Sequence, residues 1–444
     1  MKKALTYSIL LLVFAMAVGF IIVKNKKKEE SILPFKARQG VLAATPEYLA
    51  NKKKADALFA AIQKNPKDIK SKLELASLYI QEARVTGDHL YYDQAVMQIA
   101  NDVLKQDSVN FEALVFKGTT YLSQHHFADG LRVAQRIEQI NPYNAYVYGM
   151  LVDANVELGN YPEAVKSSDK MVSIRPDIRS YSRISYLREI YGDYPGAIDA
   201  MKLAVSAGYP GDEGTAWTRV HLGQLYENTG DMLAAKMHYT IALQERANYA
   251  YAYAGLGRIA RADKDYKGAI GYLLKADSLV NDYGIKDELT DLYLLNGEKE
   301  KSEANAKAVI EKLANDAQSG MNDPTMGHYA DRELAYAYLK TNDDDKALEH
   351  ALLEYNRRPE NIDVNEALAW VYFNKGDYRN AQKYINVAMK TGSKNPTLLC
   401  RAGLIAAKNG DVAKGKQLIQ SALQGNPNIH EDLKQQANKV LQSA

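Results

Sequence analysis

Along most of the chain the apolar positions recur at helical spacing and break off at short polar turns. The stretch from Ile362 to Ser393 shows the unit most plainly. Leu368, Ala369 and Tyr372 share one face of a short helix, Gly376-Asp377-Tyr378 makes a turn, and Ala381, Ile385 and Ala388 share a face of a second helix. Gly376 supplies the permissive backbone that ends the first helix, and Asp377 caps the second. Ala381 is small because the two helices must approach closely there. Followed in both directions, that position falls on Ala95, Gly130, Ala164, Ala197, Ala235, Ala269, Ser302, Ala347, Ala381 and Gly415. Every one is Ala, Gly or Ser. Most steps are 33 to 35 residues, with longer ones of 38 and 45. A small side chain returning at that interval predicts an all-α solenoid of about ten helix-turn-helix units, one extended domain rather than two or three globular ones.

The interval and the motif Arg219-x-x-Leu222-Gly223-x-x-Tyr226, followed by Ala235-x-x-x-Tyr239, resemble the tetratricopeptide repeat (TPR) family. Pro142, Pro176, Pro359 and Pro427 close units where that family places a proline. The resemblance covers residues 68–427. It implies a TPR α-solenoid, a right-handed superhelix whose first helices line a concave groove for partner segments.

The ends read differently. Lys2 and Lys3 precede an apolar run from Ala4 to Val23, and Lys24 and Lys26 to Lys28 follow it. Some twenty apolar residues in a helix span about 30 Å, the hydrocarbon thickness of a bilayer. Residues 1–28 are therefore expected to be an uncleaved signal anchor, a transmembrane helix, with cleavage near Ala17-Val18-Gly19 as the alternative. The lysine count slightly favours a cytoplasmic solenoid. The Met-Lys-Lys opening instead resembles bacterial export signals, and the expectation is a membrane-anchored, extracytoplasmic (periplasmic) solenoid. Residues 29–45 are read as a linker, 46–429 as the solenoid with a cap helix opening at Pro46, and 430–444 as a capping helix. Three irregular stretches are expected: a long turn over 82–93, and insertions at 206–215 and 315–327.

Charge narrows the function. Charged residues are 25% of the 444 and nearly balanced, with a formal net charge of +2, which argues against a general nucleic-acid or membrane-surface role. The single Cys400 excludes a disulfide framework and a cysteine metal cluster, and is read as a small buried residue. No His-Glu-x-x-His, EF-hand loop, Gly-x-Ser-x-Gly or phosphate-binding loop is present. Gly255-x-Gly257 lacks the third glycine of a dinucleotide site. Asp343-Asp344-Asp345 sits in a turn where it caps a helix. No catalytic residue, metal or cofactor is assigned, no small-molecule substrate is expected, and the chain is read as a non-enzyme.

Counting from the first residue of each unit, positions 2, 5, 6, 9 and 12 form the arc opposite the packing face of the first helix. The resemblance makes that arc the groove. It carries Tyr146, Arg179, Arg183, Tyr186, Trp217, His221, Tyr251, Arg258, Tyr329, Arg332, Tyr336 and Trp370. Tyr, Trp and Arg dominate binding hot spots, so these twelve are the candidate partner-binding residues. The alternative is that the position-2 aromatics fill contacts between neighbouring units. Arg179, Arg183, Arg258 and Arg261 make the centre of the arc read as basic, suited to a carboxylate of the partner, and Asp287, Glu288 and Asp291 make the next unit acidic. The Lys/Asn/Asn/Lys/Arg set of TPR domains that grip chaperone tails is not found. The expected function is a membrane-tethered scaffold or adaptor that binds a protein or peptide in its groove, for assembly, secretion or transport in the cell envelope. The rival is an obligate regulatory or assembly subunit of a larger membrane enzyme or transporter.

Overall fold

The structure, a computed structural model, describes residues 32–318 and 327–443, with Phe14, Met16 and Gly19 as isolated positions. The rest of the expected anchor at 1–28 lies outside the described residues, as does 319–326 of the expected 315–327 insertion. Among the described residues no helix is long and apolar enough to cross a membrane.

A lone helix, α1 (Pro46–Lys64), precedes ten antiparallel pairs. The first five pairs are α2 and α3 (Ile69–Thr86, His89–Gln106), α4 and α5 (Phe111–Ser123, Phe127–Ile140), α6 and α7 (Ala145–Glu157, Tyr161–Ile174), α8 and α9 (Ile178–Ile190, Tyr194–Ser206), and α10 and α11 (Glu213–Asn228, Met232–Glu245). The second five are α12 and α13 (Ala250–Ala262, Tyr266–Asp277), α14 and α15 (Tyr283–Leu295, Lys299–Gln318), α16 and α17 (Asp331–Lys340, Asp344–Arg357), α18 and α19 (Ile362–Asn374, Tyr378–Ala388), and α20 and α21 (Pro396–Lys408, Val412–Gly425). A last helix, α22 (Glu431–Gln442), closes the array. The described chain is all-α, a solenoid with no strand.

The units form because their signals agree. All ten small residues of the second helices are buried. The tightest approach joins α20 and α21, where a Cβ on Gly403 would stand 2.7 Å from the Gly415 carbonyl oxygen, and one on Gly415 2.7 Å from that of Gly403. Where a hydroxyl takes the small place it donates to a facing carbonyl, as Ser302 Oγ does to Thr290 at 2.9 Å. Second helices open on a capping aspartate: the carboxylates of Asp193, Asp231, Asp265, Asp343, Asp377 and Asp411 each accept the backbone N–H three residues on. First helices of successive units also touch one another, whereas the second helices of successive units make no comparable contact. The first helices therefore form the inner wall of the curve.

The curve closes on itself. Turns within units of the first half lie against junctions between units of the second half, 195 to 205 residues further on where hydrogen bonds join them. Asn281 N–H donates to Thr86 O at 2.9 Å, and Tyr329 N–H to Gln124 O at 3.1 Å. Asn361 Nδ2 donates to Glu157 O at 3.0 Å, the Ile362 N–H donates to Tyr161 Oη at 2.9 Å, and Arg358 pairs with Glu157. Gly192 faces Gly392, and Gly230 faces Gly425. One superhelical turn is thus close to six units, and the solenoid is two stacked coils joined by a seam. Five residues in the left-handed region, Gly87, His125, Gly159, Gly192 and Gly230 (φ 62° to 80°), carry the first coil's side of it.

Two expectations change. Residues 32–45 are not a free linker within the described chain. Phe35 sits 6.1 to 6.4 Å from the rings of Tyr48, Tyr79 and Tyr92, and Arg38 forks onto Glu82 at 2.6 and 2.7 Å with both side chains buried. Leu42 packs on the Ala250 cluster of the second coil. A short segment with one aromatic and one arginine carries no helical period, so its burial left no trace in the pattern. The long turn over 82–93 is also absent: α2 and α3 are each 18 residues long and meet at Gly87-Asp88, because Gly87 ends α2 in the left-handed conformation.

The seam gives a stability prediction. Gly376 has φ 77° but nothing within 4 Å of a would-be Cβ, whereas a Cβ on Gly159 would overlap the Glu360 carbonyl. Gly376→Ala should cost about 1–2 kcal/mol for the left-handed backbone alone. Gly159→Ala should cost that plus about 1–3 kcal/mol of overpacking, read by urea unfolding. Equal losses would mean that the coils are apart in solution.

Candidate partner-binding wall

The arc predicted to bind lies on the first helices and so on the inner wall. None of the twelve candidates is buried: Arg179 and Tyr186 are exposed and the other ten half-buried. Their surroundings divide them. Tyr146 shares a hydrogen bond with Thr119 at 3.2 Å and lies under the Arg179 guanidinium at 5.1 Å, a contact running from unit to unit. Trp217 rests on His221 at 3.9 Å, and Tyr251 Oη donates to Asp282 at 3.2 Å. Trp370 sits between Arg401 at 5.0 Å and Phe373 at 4.8 Å, filling a contact between neighbouring units. Tyr329 belongs to the seam, stacked on His126 at 4.1 Å. Tyr186, 41% exposed, stands free on the wall.

Most of the wall's arginines already hold a carboxylate; Arg179 instead lies over the Tyr146 ring at 5.1 Å and Arg261 beside His430 at 3.2 Å. Arg183 forks onto Asp153 (2.8 and 2.5 Å). Arg258 lies between Glu227 at 3.0 Å and Glu288 at 3.1 Å. Arg332 holds Glu333 at 3.1 Å and Asp363 at 3.5 Å, and Arg401 pairs with Glu366 at 2.8 Å while donating to Tyr336 Oη at 2.9 Å. Lys340 takes Asp287 at 2.8 Å and Asp291 at 2.9 Å, and Arg358 takes Glu157 and Glu354. The expected basic centre is reduced to Arg179 and Arg261, because Asp153 and Glu227 occupy positions 9 and 12 of their own units and pair with Arg183 and Arg258. The signal was present in the same arc, which holds acids as well as arginines.

The sum is acidic. On this wall Arg258, Arg332 and Lys340 are each shared by two carboxylates. Burial outweighs the neighbouring cation at Glu157, Asp287, Glu288 and Glu366 and pushes each carboxyl above its ordinary value. Glu333 is the exception: burial opposes its charge, yet Arg332 and His125 hold it down at about 2. Cys400 is fully buried and its thiol is pushed up to about 12 by burial, which leaves it inert. Among the described residues no group of three or more His, Cys, Asp or Glu is placed to hold a metal ion.

Residues 362–390 match the tetratricopeptide repeat family. The fold is a TPR-like solenoid. No curated protein sequence matches the chain. Among solved structures, the solenoid is similar to a chain of the APC/C hetero-tetramer Cut9-Hcn1, at 15% identity over 84% of this chain and 59% of that one, with a TM-score of 0.44. The chain spans less than two thirds of that relative. It is also similar to the human IFIT1 dimer with PPP-AAAA (15% identity, 78% of this chain, 86% of that one, TM-score 0.43) and to yeast Tom70 (13%, 89%, 93%, TM-score 0.39).

Three histidines, His125, His126 and His328, meet at the seam. His125 Nδ1 lies 2.8 Å from Tyr329 O and His126 Nε2 2.7 Å from Gly327 O, so both nitrogens donate to carbonyls. The His125 ring is 4.3 Å from that of His328. Burial and His328 push His125 down to about 3, and burial lowers His126. Asp93 nearby is pushed up to about 7 by burial and works in the opposite sense. The folded chain thus holds these imidazoles neutral and binds their protons less readily than the unfolded one. Their stabilisation is complete above the ordinary histidine value of about 6.5 and is lost as the pH falls below it, levelling off near 3 for His125. Compared with the double variant His125→Asn, His126→Gln, the wild-type melting temperature should drop between pH 7.5 and pH 5. A pH-independent difference would remove these two residues from the seam's energetics.

Proposed function

We propose that this protein is a membrane-tethered scaffold that holds an extended segment of a partner protein, bearing Lys or Arg, along the inner wall of its solenoid. Its setting is the assembly, secretion or transport machinery of a cell envelope. The apolar run at 4–23, flanked by lysines, supports the tether, and the Met-Lys-Lys opening supports an extracytoplasmic solenoid. One observation carries the binding reading: an inner wall with half-exposed aromatics on which three bases, Arg258, Arg332 and Lys340, are each shared by two carboxylates. A cation of the partner would relieve that excess where water is scarce, and Tyr faces such as Tyr186 can take its aliphatic stem. The seam closes the groove sideways, which favours a chain end or loop over a folded domain.

Arg183 is a poor probe, because a glutamate there would face Asp153. Tyr186 is the better one. A photo-crosslinking residue at 186 in the full chain, irradiated in native membranes, should capture a partner peptide carrying Lys or Arg. The same residue at Tyr272, exposed on a second helix, should not. Tyr186→Ala should lower capture in a co-purification about tenfold or more, the range of a binding hot spot, with an unchanged melting temperature. Capture at 272 in place of 186, or peptides lacking cationic residues, would overturn the reading.

A further inference from the structure

Helices α1 and α22 close the two ends of the array, and each leaves one face without a neighbouring unit. A terminal unit keeps such an array soluble by making that face polar. α22 does so: Asp432, Gln435, Asn438, Lys439 and Gln442 are exposed, and Leu433 and Ala437 are buried on the other side. α1 does not. Tyr48, Ala55, Leu58 and Ile62 are its buried side. At about 100° per residue, the opposite arc after Pro46 is Leu49, Ala50, Lys53, Ala57, Ala60 and Lys64. All six are exposed, Leu49 at 55%. The arc holds apolar residues and lysines and no acid.

The net charge of +2 for the whole chain hides a local excess at this end. Between Pro46 and Lys70 six lysines are exposed, and Asp56 is the one exposed acid. Lys52 takes Asp56 at 2.7 Å and Lys54 takes Glu74 at 3.2 Å, both at the margins of the arc. Lys53, Lys64, Lys67 and Lys70 hold no carboxylate among the described residues. The fold also limits how far this end can stand from the apolar run. Ile32 and Leu33 pack on the cluster that contains Ala55, Leu58 and Ile62 of α1. Val23, the last residue of the apolar run, is nine positions before Ile32, and Lys24 and Lys26 to Lys28 lie between them. Nine residues reach at most about 30 Å when fully extended, about the length of α1 itself.

We infer that the free arc of α1 rests on an anionic lipid bilayer, the one that holds the apolar run, an inference that rests on the membrane tether proposed above. A helix lying in a bilayer surface needs an apolar stripe towards the acyl boundary and lysines whose heads reach the lipid phosphates. Leu49, Ala50, Ala57 and Ala60 supply the stripe, and Lys53, Lys64, Lys67 and Lys70 supply the cations. Three members of the stripe are alanines, so apolar contact alone is shallow and the attraction of lysines to anionic headgroups decides the contact. A second copy laid α1 on α1 would set these lysines against one another, whereas a surface of lipid phosphates complements them. With the tether alone the solenoid would swing about residue 32. The second contact gives it one orientation on the membrane.

Fluorescence of the labelled full chain in lipid vesicles tests this. Cys400 is fully buried, so Ala57→Cys or Gln435→Cys places an environment-sensitive fluorophore at one chosen position. With phosphatidylglycerol in the bilayer and low salt, quenchers on the acyl chains should dim the label at 57 and leave the label at 435 bright. Pure phosphatidylcholine, or molar salt that screens the charges, should return position 57 to the level of 435. The double variant Lys53→Glu, Lys64→Glu should do the same with an unchanged melting temperature. All of these proteins should float with the vesicles, because each keeps the apolar run. Flotation with equal quenching at 57 and 435 overturns the inference and leaves the tether standing. Failure to float overturns the tether, and this inference with it. Quenching at 57 that the glutamates leave intact overturns it too, and so does a label at 57 that responds to protein concentration instead of lipid, which marks a second copy.

Discussion

Two backbones come into contact only where side chains are missing, and this chain applies that constraint at two scales. Inside a unit, small residues let paired helices nest, to the point where the carbonyls of Gly403 and Gly415 each leave no space for a Cβ on the other. Between coils, left-handed glycines such as Gly159 and Gly192 bring a turn onto the backbone of a junction one revolution later. The first contact sets the angle at which units follow one another. The second locks the revolution. Without the small residues the helices would stand apart, and the coils would have no common pitch at which to meet.

The seam differs in kind from the core. Inside the units the contacts are Ala, Leu and Tyr at helical spacing, and the energy is apolar burial. Between the coils they are backbone hydrogen bonds, the paired Arg358 and Glu157, and neutral histidines donating to carbonyls. Such contacts are directional and contribute modestly, about 1 kcal/mol each. They fix a register more than they add stability. A solenoid held this way has units that are individually firm and a closure that responds to its surroundings.

The inner wall follows from the same winding. Stacking the first helices side by side, and one coil on the next, crowds acids and bases from six units into one surface. Each side chain that reads as a free charge along the sequence acquires a neighbour, and the balance that remains is acidic. Tyr186 and Asp363 come from units nearly two hundred residues apart yet share one patch of wall, where Arg332 and Glu157 also act on the tyrosine.

The sequence by itself determined the unit. The period of small residues, the glycine-aspartate turns and the helical spacing are local, so the ten helix pairs and the inward face of Arg183, Trp217 and Tyr336 were legible in order. It did not reveal who pairs with whom. Arg183 with Asp153, His125 with Tyr329 and Phe35 with Tyr79 join residues tens to hundreds of positions apart, and the pair of His125 with Tyr329 meets only through the accumulated rotation from unit to unit. That rotation is a sum of small angles, each set by how two side-chain surfaces settle against one another, and no single residue encodes it. Tertiary structure therefore decided that the groove is closed, that its wall is acidic, and that residues 32–45 are part of the fold.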